Sequence, residues 1–244
     1  PGAQKLWGSE TAHFWCCHCT AVQANTMLMD NTVYREGDDT LYIAQYQPIT
    51  AALSFGGRTV TVTIEEDRRV GANLASSPLN ARIGSRPQDR HWLLHISGGG
   101  KGRLKLRRPA WQKGPMTVEI DGTAREAVAD ETGFVTLPCD FEKASVRVVL
   151  TGGLTAYPLP DDPDRVAFLD GPVALCGLTD EERTLCGDPE HPESLLAPDY
   201  ERQWDRWQTA YHTVNQPVNF RFVPLYQVAH ETYTLYFPVK KADM

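Results

Sequence analysis

Along most of this chain, hydrophobic and polar residues alternate with a period of two. Thr59 to Ile64 is the clearest case: Val60, Val62 and Ile64 share one face and threonines the other, as in a half-buried strand of β-branched residues. Before it, the Gly37-Asp38-Asp39 turn leads into Leu41, Ile43 and Gln45, which alternate with Tyr42, Ala44 and Tyr46. After it, Trp92, Leu94 and Ile96 share a face, as do Leu104 and Leu106, then Val135 and Leu137, then Val146, Val148 and Leu150. Gly98-Gly99-Gly100 predicts a hairpin rather than a phosphate loop, since neither a Lys-Ser/Thr nor a helix follows. Met116, Val118 and Ile120 run into Asp121-Gly122, a strong hairpin signal. Short strands at this spacing, with Gly and Pro turns between them, predict a β-sandwich.

One stretch has the helical period instead. Val22, Met29 and Val33 fall on one face with Ala21, Ala24 and Leu28 beside it, and Thr20 with Gln23 three residues on has the form of a capping box. This predicts a helix over 20–34. Residues 65–90 are polar and predict a long connection. Tyr157-Pro158-Leu159-Pro160-Asp161-Asp162-Pro163 marks a joint. Strands are expected to resume at Val166–Leu169 and Val173–Leu178, with a surface insertion over 179–200. Trp204 and Trp207 are placed on a short helical turn, and Phe220–Leu225 and Tyr233–Val239 close the fold. The expected organisation is 1–36 as a helical stub, 37–155 as a sandwich, and 156–244 as a second sandwich or the completion of the first.

Composition narrows the function classes. The chain has 244 residues, 41% of them hydrophobic, so it can build a sizeable core. A net charge of −7, with pI near 5.5, argues against a nucleic-acid partner. The densest basic run, Lys101 to Arg108, alternates with Leu104 and Leu106 and fits the solvated face of a strand. No apolar run approaches the ~20 residues of a membrane span, so no membrane partner is expected, and the residues leave the compartment open. The chain lacks an initiator Met and starts abruptly, the form expected of a fragment or processed product.

The candidate chemistry is Cys16-Cys17-His18-Cys19, just before or at a helix N-terminus. Free N–H groups and the macrodipole favour an anion there, and the thiolate is both the nucleophile and the metal ligand of sulfur chemistry. Cys16 and Cys17 do not bridge each other, because adjacent Cα atoms stand ~3.8 Å apart, below the disulfide range. Cysteine also serves as a small buried hydrophobe, and the C-C-x-C spacing matches neither a zinc finger nor the thioredoxin pattern. With 6 cysteines, half of them clustered, the chain does not resemble a disulfide framework.

Taken in order, a set of phrases resembles glycoside hydrolase family 127, the β-L-arabinofuranosidase type. They are Phe14-Trp15-Cys16-Cys17-His18, then Asp39-Thr40-Leu41-Tyr42-Ile43, then Leu106-Arg107-Arg108-Pro109-Ala110-Trp111 with Val118-Glu119-Ile120-Asp121-Gly122. Arg165 to Val173 and Phe222-Val223-Pro224-Leu225-Tyr226 complete the set. The resemblance implies the end of an (α/α)6 barrel followed by β-sandwiches. It also implies Cys16 as nucleophile of a retaining hydrolysis and Cys16 with Cys17 as zinc ligands, completed by an upstream Glu-x-Cys. The implied partner is a carbohydrate, held by the barrel.

The chain departs from that pattern. It has no Glu-x-Cys, Glu10 is the only carboxylate before the thiols and fits no family role, and His18-Cys19-Thr20 replaces the family's prolines and Asn. His18 is a candidate ligand or proton shuttle, or a structural histidine; Cys19 is an added ligand or a replaced small residue. Trp204 and Trp207 are candidate sugar-stacking residues, whereas Trp92 and Trp111 are expected in the core. Cys139 and Cys176 are expected as isolated thiols in strands and Cys186 as a third. His91 and His95 are assigned to a solvated face. Two other classes remain open on the residues: a non-catalytic β-sandwich module with a structural or carbohydrate-binding role, and a small cysteine-ligated metal protein. The expected activity of the isolated chain is none, since a retaining mechanism needs a nucleophile and an acid/base together.

Overall fold

A computed structural model describes residues 2–6, 15–67, 89–199, 201–203 and 206–241, with the side chains of 201–203 and 206–208 left aside. The fold is mainly β, with one short helix, α1 (Cys16–Thr26), near the N-terminus. Two compact units divide the chain: Gly8–Val70 with Arg90–Thr151, and Pro1–Trp7 with Gly71–Asp89 and Gly152–Met244.

The first unit holds α1 and ten strands: β1 (Val33–Glu36), β2 (Thr40–Ile43), β3 (Ile49–Phe55), β4 (Arg58–Glu66), β5 (Asp89–Ser97), β6 (Lys101–Arg107), β7 (Thr117–Ile120), β8 (Thr123–Arg125), β9 (Phe134–Asp140) and β10 (Lys143–Thr151). They form a four-stranded sheet, β1-β2-β6-β9, and a six-stranded sheet, β3-β4-β5-β10-β7-β8. Leu41, Ile43, Leu104, Leu106, Val135 and Leu137 from the first join Val60, Val62, Ile64, Leu94, Ile96, Val118, Val146 and Val148 from the second in one buried cluster. That shared core makes the unit a β-sandwich. The alternation along β4 is reproduced residue by residue: Val60 and Val62 are fully buried, while the intervening threonines reach the surface. Trp92 and Trp111 pack against this core from its edge.

The register follows the sequence cues except at one point. Asp121 and Gly122 have φ of 51° and 76° and close the β7–β8 hairpin, with Ile120 opposite Thr123, as a two-residue turn with both central residues left-handed requires. Gly98-Gly99-Gly100, expected as a hairpin, instead carries the chain from the six-stranded sheet to the four-stranded one, since β5 and β6 lie in different sheets. The β9-to-β10 connection crosses back alongside it: Gly99 N donates to Phe141 O at 2.9 Å and Phe141 N to Gly100 O at 2.8 Å. A Cβ on Gly98 would stand 2.3 Å from Thr59 O, and its φ is +95°, so backbone contact and conformation both demand glycine. The basic run lies as expected on the outer face of β6. There Lys105 Nζ donates to Tyr42 Oη at 2.9 Å, and Arg103 pairs with Asp39 at 3.2 Å. Hydrogen bonds from Thr40 and then Arg103 hold the Asp39 carboxyl below its usual range.

The second unit is assembled from shorter pieces: β11 (Leu154–Pro158), β12 (Arg165–Asp170), β13 (Val173–Gly177), β14 (Leu185–Cys186), β15 (Leu196–Pro198), β16 (Glu201–Gln203), β17 (Arg206–Gln208), β18 (Tyr211–Thr213), β19 (Arg221–Pro224) and β20 (Tyr236–Lys240). The main sheet runs β14-β20-β12-β13-β19-β18-β15, with β11 paired to β12. The proline-rich joint is thus partly a strand, its Tyr157 opposite Ala167. The stretch 179–200 is not a surface insertion either: it supplies β14 and β15 and the fully buried Leu185, Leu195 and Leu196. Prolines and acids mask these apolar anchors in the sequence. The core is a group of phenyl rings, with Phe168, Phe222 and Phe237 at centroid distances of 5.0–6.4 Å. Gly177 lies beneath them, where a Cβ would meet Phe237 at 2.6 Å and Phe220 at 2.7 Å. Residues 2–6 belong here too: Ala3 pairs with Tyr233 through two 2.8 Å backbone hydrogen bonds. Lys5 Nζ donates to Leu225 O and Val228 O, both at 2.7 Å.

Candidate functional site

The helix that bears the thiols is shorter than expected and begins earlier. It starts at Cys16, not Thr20, and the N-cap is Trp15, whose backbone is extended (φ −103°, ψ 158°). Trp15 N donates to His18 Nδ1 at 3.4 Å and His18 N donates back to Trp15 O at 2.9 Å, while the two rings stand 5.3 Å apart. His18 therefore helps to set the start of the helix. Thr20 is interior and turns its hydroxyl to Cys16 O at 3.4 Å. Near the end of the helix Asn25 and Thr26 bond back to Ala21 O (2.8 Å) and Gln23 O (2.9 Å), local side-chain bonds of a kind that favours helix ends over interiors, and Met27 N makes the last helical bond, to Gln23 O at 3.0 Å. Val33 is already in strand β1, opposite Ile43. The apolar stripe expected to face a core does not do so: Val22 and Met29 are 64% and 61% exposed, and α1 buries no residue.

Cys16, Cys17, His18 and Cys19 thus occupy the first four positions of α1. All three thiols are free and exposed. Successive helical residues diverge by about 100°, so Cys16 and Cys17 point apart. Thiolates are apt ligands for zinc, but these residues do not by themselves form a zinc site. Among the described residues, no group of three or more His, Cys, Asp or Glu side chains is placed to hold a metal ion.

The remaining candidates separate. Trp204 lies outside the described residues. Trp207 lies in β17 with its backbone opposite Arg202, so the helical turn expected for this pair is a strand at that position. Cys139 and Cys176 are buried in strands, and burial pushes both thiols up to about 11; they are protected rather than reactive. His95 is exposed and lies 3.6 Å from Glu65.

One charged group had no signal in the sequence beyond its place on alternating strands. Asp67, its side chain 1% exposed, lies 3.2 Å from Arg147 Nε, and Arg147 Nη1 donates to Glu119 at 3.4 Å. Arg147 and Glu119 are register partners on β10 and β7. With Leu93, Gly122 and Ser145 they line a depression of about 150 Å³ on the six-stranded sheet. Asp67 N donates to His91 O at 2.8 Å, so the group fastens the end of β4 to β5 and β10.

No helix among the described residues is long and apolar enough to cross a membrane. No protein-family model matches the chain, and no curated protein matches it. Solved structures do. A GH127 β-L-arabinofuranosidase from Geobacillus stearothermophilus T6 aligns with TM-score 0.66 at 16% identity, over 92% of this chain and 37% of its own. Another GH127 β-arabinofuranosidase aligns with TM-score 0.65 at 17% identity, over 92% and 38%. A protein described as a glycoside hydrolase aligns with TM-score 0.67 at 13% identity, over 96% and 41%. The chain therefore has the fold of a part of the GH127 β-L-arabinofuranosidases, spanning about two fifths of their length.

Proposed function

We propose that this chain is the C-terminal part of a glycoside hydrolase of the GH127 type, and that Cys16 is its nucleophile. The observation that carries the reading is the uneven coverage: at least 92% of this chain, but no more than 41% of each longer glycosidase, shares one fold. In this reading α1, which buries none of its residues, ends a helical barrel and packs against preceding helices, while Ala3 pairs with Tyr233 in the C-terminal unit and β1 already belongs to the sandwich. Residues 37–155 and 156–244 are the sandwich portions.

The chemistry is a two-step displacement. Cys16 Sγ attacks the anomeric carbon as the glycosidic C–O bond breaks and a carboxylic acid protonates the leaving oxygen. Water then displaces the thiolate and releases the sugar. In this reading the acid comes from a preceding segment; Cys17 supplies one further thiol, and among the described residues no cluster completes a metal site, so zinc held by Cys16 and Cys17 would also take ligands from that segment.

The test compares the 244-residue chain with the longest natural product of its gene on an aryl β-L-arabinofuranoside. Turnover is expected from the longer protein only, and a loss of at least about a thousandfold in Cys16→Ser. Metal analysis after dialysis against a mild chelator should find zinc in the longer protein and not in the short chain. Turnover that survives Cys16→Ser would remove the nucleophile assignment. No turnover by any form would leave a non-catalytic sandwich module as the better reading.

A further inference from the structure

A second use of the thiols goes beyond glycoside hydrolysis and depends only on α1. The four residues read together as C-C-x-C, but Cys16 and Cys19 taken alone have the C-x-x-C spacing of dithiol motifs, with Cys17 at an intervening position. On the helix, Cys16 and Cys19 are three residues apart and face the same side, about 60° from each other in projection. Helical geometry puts their Cα atoms about 5 Å apart, inside the disulfide range. The other pairings fail: Cys16 and Cys17 are too close, and Cys17 and Cys19 lie on opposite sides of the helix. Both thiols are free and exposed, and no side chain of α1 is buried. The first helical turn also contains N–H groups with no intrahelical acceptor, so it can tighten around a bridge with little loss of hydrogen bonding. Cys139 and Cys176 are buried and stay out of reach.

We propose that Cys16 and Cys19 form a redox-active dithiol that closes to an intramolecular disulfide by exchange with a low-molecular-weight disulfide such as glutathione disulfide. The sulfur of one cysteine attacks the glutathione disulfide, the S–S bond breaks, and one glutathione thiolate leaves with a mixed disulfide formed. The second cysteine attacks the protein sulfur of that bond, and the second glutathione leaves. The protein loses two electrons and two protons, and glutathione disulfide gains them. The same pair takes trivalent arsenicals, which bridge two neighbouring thiols. In the glycosidase reading, closure would also remove the nucleophile, so the device would switch that activity off.

The experiment uses the reduced 244-residue chain and does not involve hydrolysis, so it succeeds or fails independently of the proposed activity. After treatment with glutathione disulfide, intact-mass measurement should show the loss of two hydrogens, and peptide mapping should find Cys16 joined to Cys19. Fast-reacting thiols should fall from three to one. Cys17→Ser should close as readily as the parent. Cys19→Ser and Cys16→Ser should instead stop at a stable glutathione adduct and should lose tight retention of phenylarsine oxide. Stable adducts on the parent without closure, equal closure in Cys17→Ser and Cys19→Ser, or bridges to Cys139, Cys176 or Cys186 would each overturn the proposal. Far-UV spectra of the variants separate a lost pair from a lost helix.

Discussion

The two compact units solve the same problem with different materials. The sandwich is built on long strands, such as the 9-residue β4 and β10, and on mainly aliphatic side chains that alternate along most of their length, although Leu93 and Leu94 on β5 are both buried. The C-terminal unit uses strands of two or three residues, such as β14, β15 and β18, around a set of phenyl rings and a glycine that makes room for them. A long alternating strand specifies its own burial and register at every second residue. A three-residue strand specifies almost nothing alone and depends on partners distant in sequence. The first unit is therefore stabilised by many small equivalent contributions, and the second by a few large ones.

The largest effects should come from cutting each core at its centre. Phe222→Ala should cost about 3–5 kcal/mol and Leu104→Ala about 2–5 kcal/mol. Hydrogen exchange should show the first loss confined to β11–β20 and the second to β1–β10. Loss of protection in both units from either change would mean that they unfold as one, and the comparison would collapse. Removing residues 1–6 should come next. It deletes the Ala3–Tyr233 pair and the Lys5 contacts, and should destabilise the C-terminal unit alone by about 2–3 kcal/mol, after the entropy of ordering the segment is counted.

A smaller effect sharpens the contrast by pH. Each unit has one buried strand thiol, Cys139 or Cys176, raised from 9.0 to about 11 by burial. In that window the unfolded chain releases the proton while the folded one retains it, so stability is complete below about pH 9 and falls as pH rises toward 11. Denaturation at pH 8 and pH 10.5 should differ by about 1 kcal/mol per thiol, allowing for partial screening. Cys139→Ala should flatten the profile of the sandwich, and Cys176→Ala that of the other unit. The smallest effect belongs to α1: Val22→Ser should change the stability of this chain by less than about 0.5 kcal/mol, because its side chain is already in water. A larger loss would show that the helix is anchored after all.

The same contrast explains what could be read from the sequence. Most long strands of the sandwich were legible, down to the Asp121-Gly122 turn, because each was specified by its own period; β3 was not, and it is only partly buried along most of its length. The glycine triplet was not, since a hairpin and a crossing between sheets require the same left-handed freedom and differ only in where the next strand pairs. Leu185, Leu195 and Leu196 were lost among acids and prolines, where no period links them. For the candidate site, the residues were legible and the arrangement was not. Cys16, Cys17 and Cys19 were found by composition. The helix start at Cys16, which puts Cys16 and Cys19 on one side, was displaced in the reading by the apparent capping box at Thr20. The actual cap, Trp15 with His18, is not a pair that capping preferences would select.

The contact between Ala3 and Tyr233 also has a consequence in time. The hydrogen bond from Gly2 to Thr234 spans 232 positions, and the sandwich lies between those two residues in the sequence. During synthesis the N-terminal segment of the C-terminal unit emerges long before its partner exists, with a delay on the order of tens of seconds at ordinary elongation rates. The sandwich, whose pairings are complete by Thr151, can fold within that interval. Residues 2–6 must wait in an extended, unpaired state until the end of the chain arrives. The order of assembly is thus fixed by the threading of the chain: the sandwich first, and the closing of its neighbour as the last event.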